Sequence, residues 1–202
     1  MKAFHALRRA PAALAVAALA GCATVVPVTS TPATPASFAV HESFDASGRL
    51  SARRGSDGVA VHFSWTHGQG ADLFDVATPT GQIVARLRGD AAGVSVERPG
   101  EVPRAYADWN VLTRDVLGVA IPVDGLASWI QGAPVARTGF DMERDAGGRP
   151  LVLRQQGWEI VYGYADAAAP AQPTRLVMRY PDSEPIEVRI VVDRLAADDA
   201  KH

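Results

Sequence analysis

Val59-Ala60-Val61-His62-Phe63-Ser64-Trp65 decides the fold class. Large apolar side chains stand at every second position, with Ala, His and Ser between them. This is the period of two that a pleated strand shows when one face is buried and the other is wet. The same alternation puts Ile83, Ala85 and Leu87 on one face. It recurs in Trp158, Ile160 and Tyr162, in Leu176, Met178 and Tyr180, and in Ile186, Val188, Ile190 and Val192. No segment is a continuous apolar run, so the pattern predicts half-buried antiparallel strands and not a parallel sheet covered on both sides. Gly55-Ser56-Asp57-Gly58, His67-Gly68-Gln69-Gly70, Gly89-Asp90-Ala91-Ala92-Gly93 and Asp145-Ala146-Gly147-Gly148 separate the apolar segments as turns. Links this short predict a meander.

The middle of the chain changes period. Trp109, Leu112, Val116 and Leu117 recur at helical spacing, with Asp108 placed to cap the start and Gly118 just past the end. A second short helix is predicted from about Asp124, burying Leu126, Trp129 and Ile130 and stopping at Gly132 before Pro134. Two amphipathic helices set into a run of strands predict a mainly β fold, a curved antiparallel sheet with helices over its concave face. Periodicity leaves open whether the enclosed apolar interior is packed solid or holds a cavity, because core and cavity-lining side chains look alike in sequence. Ala165 to Pro173 reads as a loop, and no internal repeat is visible.

A length of 202 residues suits one domain. The net charge of -2 and pI near 6.2 provide no positive field to gather phosphates, which argues against nucleic-acid binding. At the N-terminus, Lys2, Arg8 and Arg9 precede an uncharged apolar stretch from Ala12 to Ala20, closed by Gly21-Cys22. The apolar run spans about ten residues, where a membrane span needs about twenty, so it reads as an export signal over 1–21. The single cysteine, directly after small residues at the cleavage point, resembles the bacterial lipobox. That resemblance implies diacylation of Cys22 as the first mature residue. Two acyl chains suffice for stable anchoring where one is marginal. Ala23 in place of Asp, by likeness to the enterobacterial sorting rule, favours export to the outer membrane. Residues 22–40 are dominated by Thr, Pro, Ala and Val without periodicity and read as an extended tether, leaving 41–202 as the folded domain. Without residues 1–21, which hold three basic and no acidic residues, the balance is 17 basic against 22 acidic, or -5.

Catalytic patterns are scarce. Neither a Gly-x-Ser-x-Gly elbow nor a His-Glu-x-x-His, a Gly-x-Gly-x-x-Gly or a phosphate-binding loop occurs. Lysine stands only at positions 2 and 201, which removes a Schiff-base or Ser-Lys mechanism from the folded body. His62 and His67 are oddly spaced and fall on opposite faces of a continuous strand, so they do not make a metal pair. Asp72 with Asp75, Asp141 with Glu143, and Asp182 with Glu184 are spaced closely enough for carboxylate chemistry. Their turn-like surroundings read instead as solvated loops. The expectation is a protein without enzymatic activity, cofactor or metal, whose inward aromatics either pack a core or bind something apolar.

Phe44-Asp-Ala-Ser-Gly-Arg-Leu-Ser-Ala-Arg53, Val61-His-Phe-Ser-Trp65, Ala77-Thr-Pro-Thr-Gly-Gln82, Gly118-Val-Ala-Ile-Pro-Val123, Trp129-Ile-Gln-Gly-Ala-Pro134 and Gln156-Gly-Trp-Glu-Ile-Val-Tyr162 follow one another in this order. Together they resemble the LolB family of outer-membrane lipoproteins over nearly the whole mature chain. The resemblance implies an unclosed antiparallel β-barrel, or half-barrel, with short helices covering an apolar cavity. It further implies a monomeric acceptor that takes acylated lipoproteins from the periplasmic carrier LolA and inserts them into the inner leaflet of the outer membrane. Phe63, Trp65, Leu112, Leu126, Trp129, Ile130, Trp158, Ile160 and Tyr162 are the expected cavity wall and lid. In the family, a loop between two early strands presents an exposed leucine between Pro and Gly that is thought to help release cargo into the membrane. The matching loop here is Pro79-Thr80-Gly81, with a polar tip, so Val76 or Ile83 is the expected source of apolar contact. The alternatives are a structural or interaction lipoprotein of the envelope with a solid core and no ligand, and an envelope hydrolase using the carboxylates. A soluble carrier of the LolA type conflicts with the lipobox.

Overall fold

Alternating segments become strands wherever a second strand can complete their hydrogen bonds. In the computed structural model, which describes residues 40–165 and 172–197, these are β1 (Phe44–Arg54), β2 (Asp57–Gly68), β3 (Ala71–Ala77), β4 (Ile83–Asp90), β5 (Gly93–Glu97), β6 (Arg104–Tyr106), β7 (Phe140–Arg144), β8 (Pro150–Gln155), β9 (Trp158–Gly163), β10 (Arg175–Tyr180) and β11 (Ile186–Ala197). The helices are α1 (Trp109–Leu117) and α2 (Val123–Trp129). The described residues belong to one compact unit. The export signal, Cys22 and the tether up to residue 39 lie outside the described residues, as does most of the Ala165 to Pro173 loop.

All eleven strands form one sheet in the order β6-β5-β4-β3-β2-β1-β11-β10-β9-β8-β7, with every pair antiparallel. This is two meanders joined where the first strand pairs with the last. The edges are β6 and β7, and they do not pair with each other. The chain joins these edges through α1 and α2. The helices stand where strand pairing would otherwise close the barrel, and the result is the mainly β half-barrel expected.

Local chemistry explains the helix ends. The Asp108 carboxylate accepts the Val111 N–H at 2.8 Å, satisfying one of the first-turn donors of α1. Gly118 ends α1 with a left-handed φ of 76°, donating its N–H to Arg114 O, a conformation that costs glycine nothing. The helix α2 starts at Val123 and ends at Trp129, so Ile130 to Gly132 continue beyond it as a turn. At the β5–β6 edge, Asp115 of α1 accepts from Tyr106 and from Arg98 at 2.8 Å.

Two expectations are corrected. Ile83 is 43% exposed although Ala85 and Leu87 are buried. The β3–β4 ladder pairs Val76 with Ala85 but Ala77 with Ile83. The extra residue Val84 is a bulge that turns Ile83 off the inner face. The acid pairs are not all loop residues either: Asp72 and Asp75 lie on β3, Asp141 and Glu143 on β7, and five of the six acids pair with an arginine. Asp72 meets His67, and Asp75 meets Arg86. Asp141 and Glu143 share Arg154, while Asp182 and Glu184 share Arg54. Cross-strand pairing of opposite charges on the outer face of the sheet selects Asp75, Asp141 and Glu143.

Candidate functional site

Inner-face side chains of the long strands and the apolar stripes of both helices meet in one cluster. From the sheet come Leu50, Val61, Phe63, Trp65, Phe74, Val76, Leu87 and Ile190; from the helical roof come Thr113, Leu117, Ile121, Val123, Leu126 and Ile130. They enclose a cavity of about 40 Å³. An apolar space of about 150 Å³ is what takes up a benzene, so this one admits neither a ring nor a chain as it stands. No charged side chain is buried among the described residues; the buried polar ones are Thr113, Gln131 and Gln155.

An aromatic wall closes one end. Trp65 stacks on Phe74 at 4.6 Å between ring centres and meets Phe44 edge-on at 4.9 Å, while Phe74 meets Trp109 edge-on at 5.6 Å. These are the offset and perpendicular arrangements that ring quadrupoles favour. The Trp65 indole N–H donates to Asp72 at 2.8 Å, and the same carboxylate oxygen lies 2.7 Å from His67 Nδ1. His67 shares the face of Trp65, while His62 is exposed on the other. Among the described residues no three potential metal ligands gather.

The residues expected as wall and lid divide into three groups. Phe63, Trp65, Leu126 and Ile130 line the cavity. Leu112, Trp129 and Ile160 are fully buried around it without facing it. Trp158 lies beyond it and lines an open cleft of about 530 Å³ between the α1–α2 link and the β9 to β11 ends, packed on Tyr180 at 5.3 Å. Tyr162 is buried off the cavity. Among the described residues its hydroxyl finds no hydrogen-bond partner, and burial pushes its pKa well above the usual value. Val61, Phe74, Val76 and Leu87 line the cavity without having been singled out for it. Their alternation marks the inner face but not where on that face the roof leaves space.

Pro79-Thr80-Gly81 forms the exposed turn between β3 and β4. Gly81 N–H donates to Thr78 O at 2.8 Å, and the Thr78 and Thr80 hydroxyls lie 2.8 Å apart. Val76, expected as one source of apolar contact beside the turn, is 4% exposed and faces the cavity instead. Ile83 and Val84, turned out by the bulge, are the exposed apolar residues next to this turn.

Fold and interior together define a class: a lidded half-barrel with an uncharged apolar interior. The chain belongs to the LolB family, whose model, described as outer membrane lipoprotein LolB, matches residues 42–194. An outer-membrane lipoprotein LolB from Thiobacillus denitrificans is 37% identical over 176 residues, covering 87% of this chain and 90% of the relative. Those from Cupriavidus metallidurans and from an Azoarcus species are each 33% identical, covering 87% and 93% of this chain and 89% and 95% of the relatives. Among solved structures, a LolA superfamily protein from Nitrosomonas europaea aligns with a TM-score of 0.46 at 10% identity, over 79% of this chain and 87% of that one.

Proposed function

We propose that this protein is the acceptor that receives acylated lipoproteins from a periplasmic carrier of the LolA type and inserts them into the inner leaflet of the outer membrane. The observation that carries the reading is how the barrel is closed. An uncharged interior is roofed by helices that bridge two unpaired edges. The roof can therefore lift without breaking a strand ladder. Acyl chains leaving the carrier then enter the space between sheet and roof. Burial is worth about 0.8 kcal/mol per methylene, so small differences over tens of methylenes bias the transfer without ATP. Cys22, diacylated, holds the protein on the periplasmic face of the outer membrane. The Pro79-Thr80-Gly81 turn meets the bilayer, with Ile83 and Val84 supplying the apolar area that Thr80 lacks.

A Cys22→Ala form mixed with a carrier bearing labelled lipoprotein tests this. Label is expected to pass to the protein and co-purify with it, and replacing Ile130 with Asn is expected to cut transfer several-fold. No transfer to folded protein, from a carrier that delivers to a control acceptor, would overturn the reading. One observation favours a second reading, a structural envelope lipoprotein with a solid core: the 40 Å³ cavity is too small for cargo. The same experiment separates the two, since a solid core takes no label.

A further inference from the structure

A cavity of about 40 Å³ admits no acyl chain, so the proposed function requires the roof to lift. Most of what holds it down is apolar contact without direction. The polar contacts are few and specific. Thr113 acts within the roof, donating to Trp109 O and accepting from Ile121 N, both at 2.8 Å. Gln155 reaches in from β8 to Trp129 Nε1 and to the Val135 backbone.

Gln131 makes a different connection. Its Oε1 accepts the His41 N–H at 2.7 Å, and its Nε2 donates to His41 O at 3.1 Å and to Ala127 O at 3.0 Å. One amide thus pairs with both backbone groups of residue 41, as a neighbouring strand would, across 90 positions of sequence. Its other donor hydrogen caps the last turn of α2. Gln131 is 1% exposed, so water cannot replace a lost partner. His41 stands three residues before β1, where the segment over 22–40 joins the barrel.

We infer that the His41 backbone is the latch of the roof: Gln131 couples this junction to α2, and displacing the junction releases the C-terminal end of α2 and opens the interior. The inference rests on the acyl-acceptor reading above, and it makes the junction part of the loading step and not a spacer alone.

The test uses the full lipoprotein, anchored in phospholipid nanodiscs, and two readouts. One is amide hydrogen exchange over residues 123–135. The other is the rate at which labelled lipoprotein passes from a LolA-type carrier. His41→Pro removes the latch N–H while leaving every roof side chain in place, and Gln131→Met removes the amide at similar volume. Both are expected to speed exchange over 123–135 about fivefold or more, the factor for one hydrogen bond. Exchange over 150–163 and 175–197 should stay unchanged, and transfer should quicken. His41→Ala, which keeps the N–H, should match the parent in both. Unchanged exchange over 123–135 overturns the latch. So does acceleration shared by the strands, or faster roof exchange with an unaltered transfer rate. Absence of transfer by the parent, alongside the expected exchange pattern, would sink the acceptor reading and leave the latch standing.

Discussion

At Gln155 the side chain points into the interior, where its Oε1 accepts from Trp129 Nε1 at 2.9 Å and from Val135 N at 2.8 Å, and its Nε2 donates to Val135 O and Thr138 O. Its neighbour Arg154 points outward to Asp141, Glu143 and Glu159. Gln155→Leu would leave the buried Trp129 indole N–H and the part-buried Val135 N–H without acceptors; a buried orphan costs about 1–3 kcal/mol, so a loss of about 2 kcal/mol or more is expected in urea unfolding. Arg154→Leu should shift the same midpoint far less, because its ion pairs are made in water. Equal losses would mean that the roof does not depend on the Gln155 amide. A lone glutamine in a strand carries no mark of burial. The function of Gln155 was invisible in the sequence for that reason, as was that of Gln131.

Among the elements, α1 shows how a strand is shaped to receive a helix. Gly89 of β4 is on the inner face, and a Cβ there would lie 2.4 Å from the Trp109 indole. Gly89→Ala therefore forces the first residue of α1 off the sheet. Overpacking of this kind costs about 1–3 kcal/mol. Gly139→Ala meets nothing within 4 Å and should leave stability within about 0.5 kcal/mol of the parent. Thermal unfolding monitored by tryptophan near-UV dichroism checks both, and a Gly89 variant as stable as the Gly139 one would refute the close-approach account. Asp108 and Gly118 were legible as helix ends because capping is local chemistry. The bulge at Val84 was not, since it exists only in the register against β3. Nor were β3, β7 and β8 marked by alternation. Their inner faces are short and their charged residues are chosen for partners on neighbouring strands.

For the whole molecule, one buried and one half-buried phenol weaken the fold at high pH. The Tyr164 hydroxyl donates to Pro150 O at 2.7 Å, and burial pushes its pKa up to about 12; Tyr162 is raised further by the same cause. A raised folded pKa means that the unfolded chain loses its proton first. This contribution to stability is complete below about pH 10 and is lost progressively as pH rises toward 12. The urea midpoint should be flat in these groups up to about pH 10 and then fall, with a shallower fall in Tyr164→Phe. A midpoint independent of pH across that window, in parent and variant alike, would contradict the burial of these phenols.

The sequence by itself determined the inner face of four strands and, Ile83 apart, of a fifth, with the ends of α1, the absence of catalytic patterns and the family, because alternation, capping and motif order are written in neighbouring residues. Only the tertiary structure decided that β1 pairs with β11, that β6 and β7 stay apart with helices between them, and that the interior is nearly full. It also decided which amides hold the roof. These depend on contacts between residues up to 153 positions apart, as Phe44 and Ala197 are, and no local pattern records which distant surface a side chain will meet or how closely it will pack there.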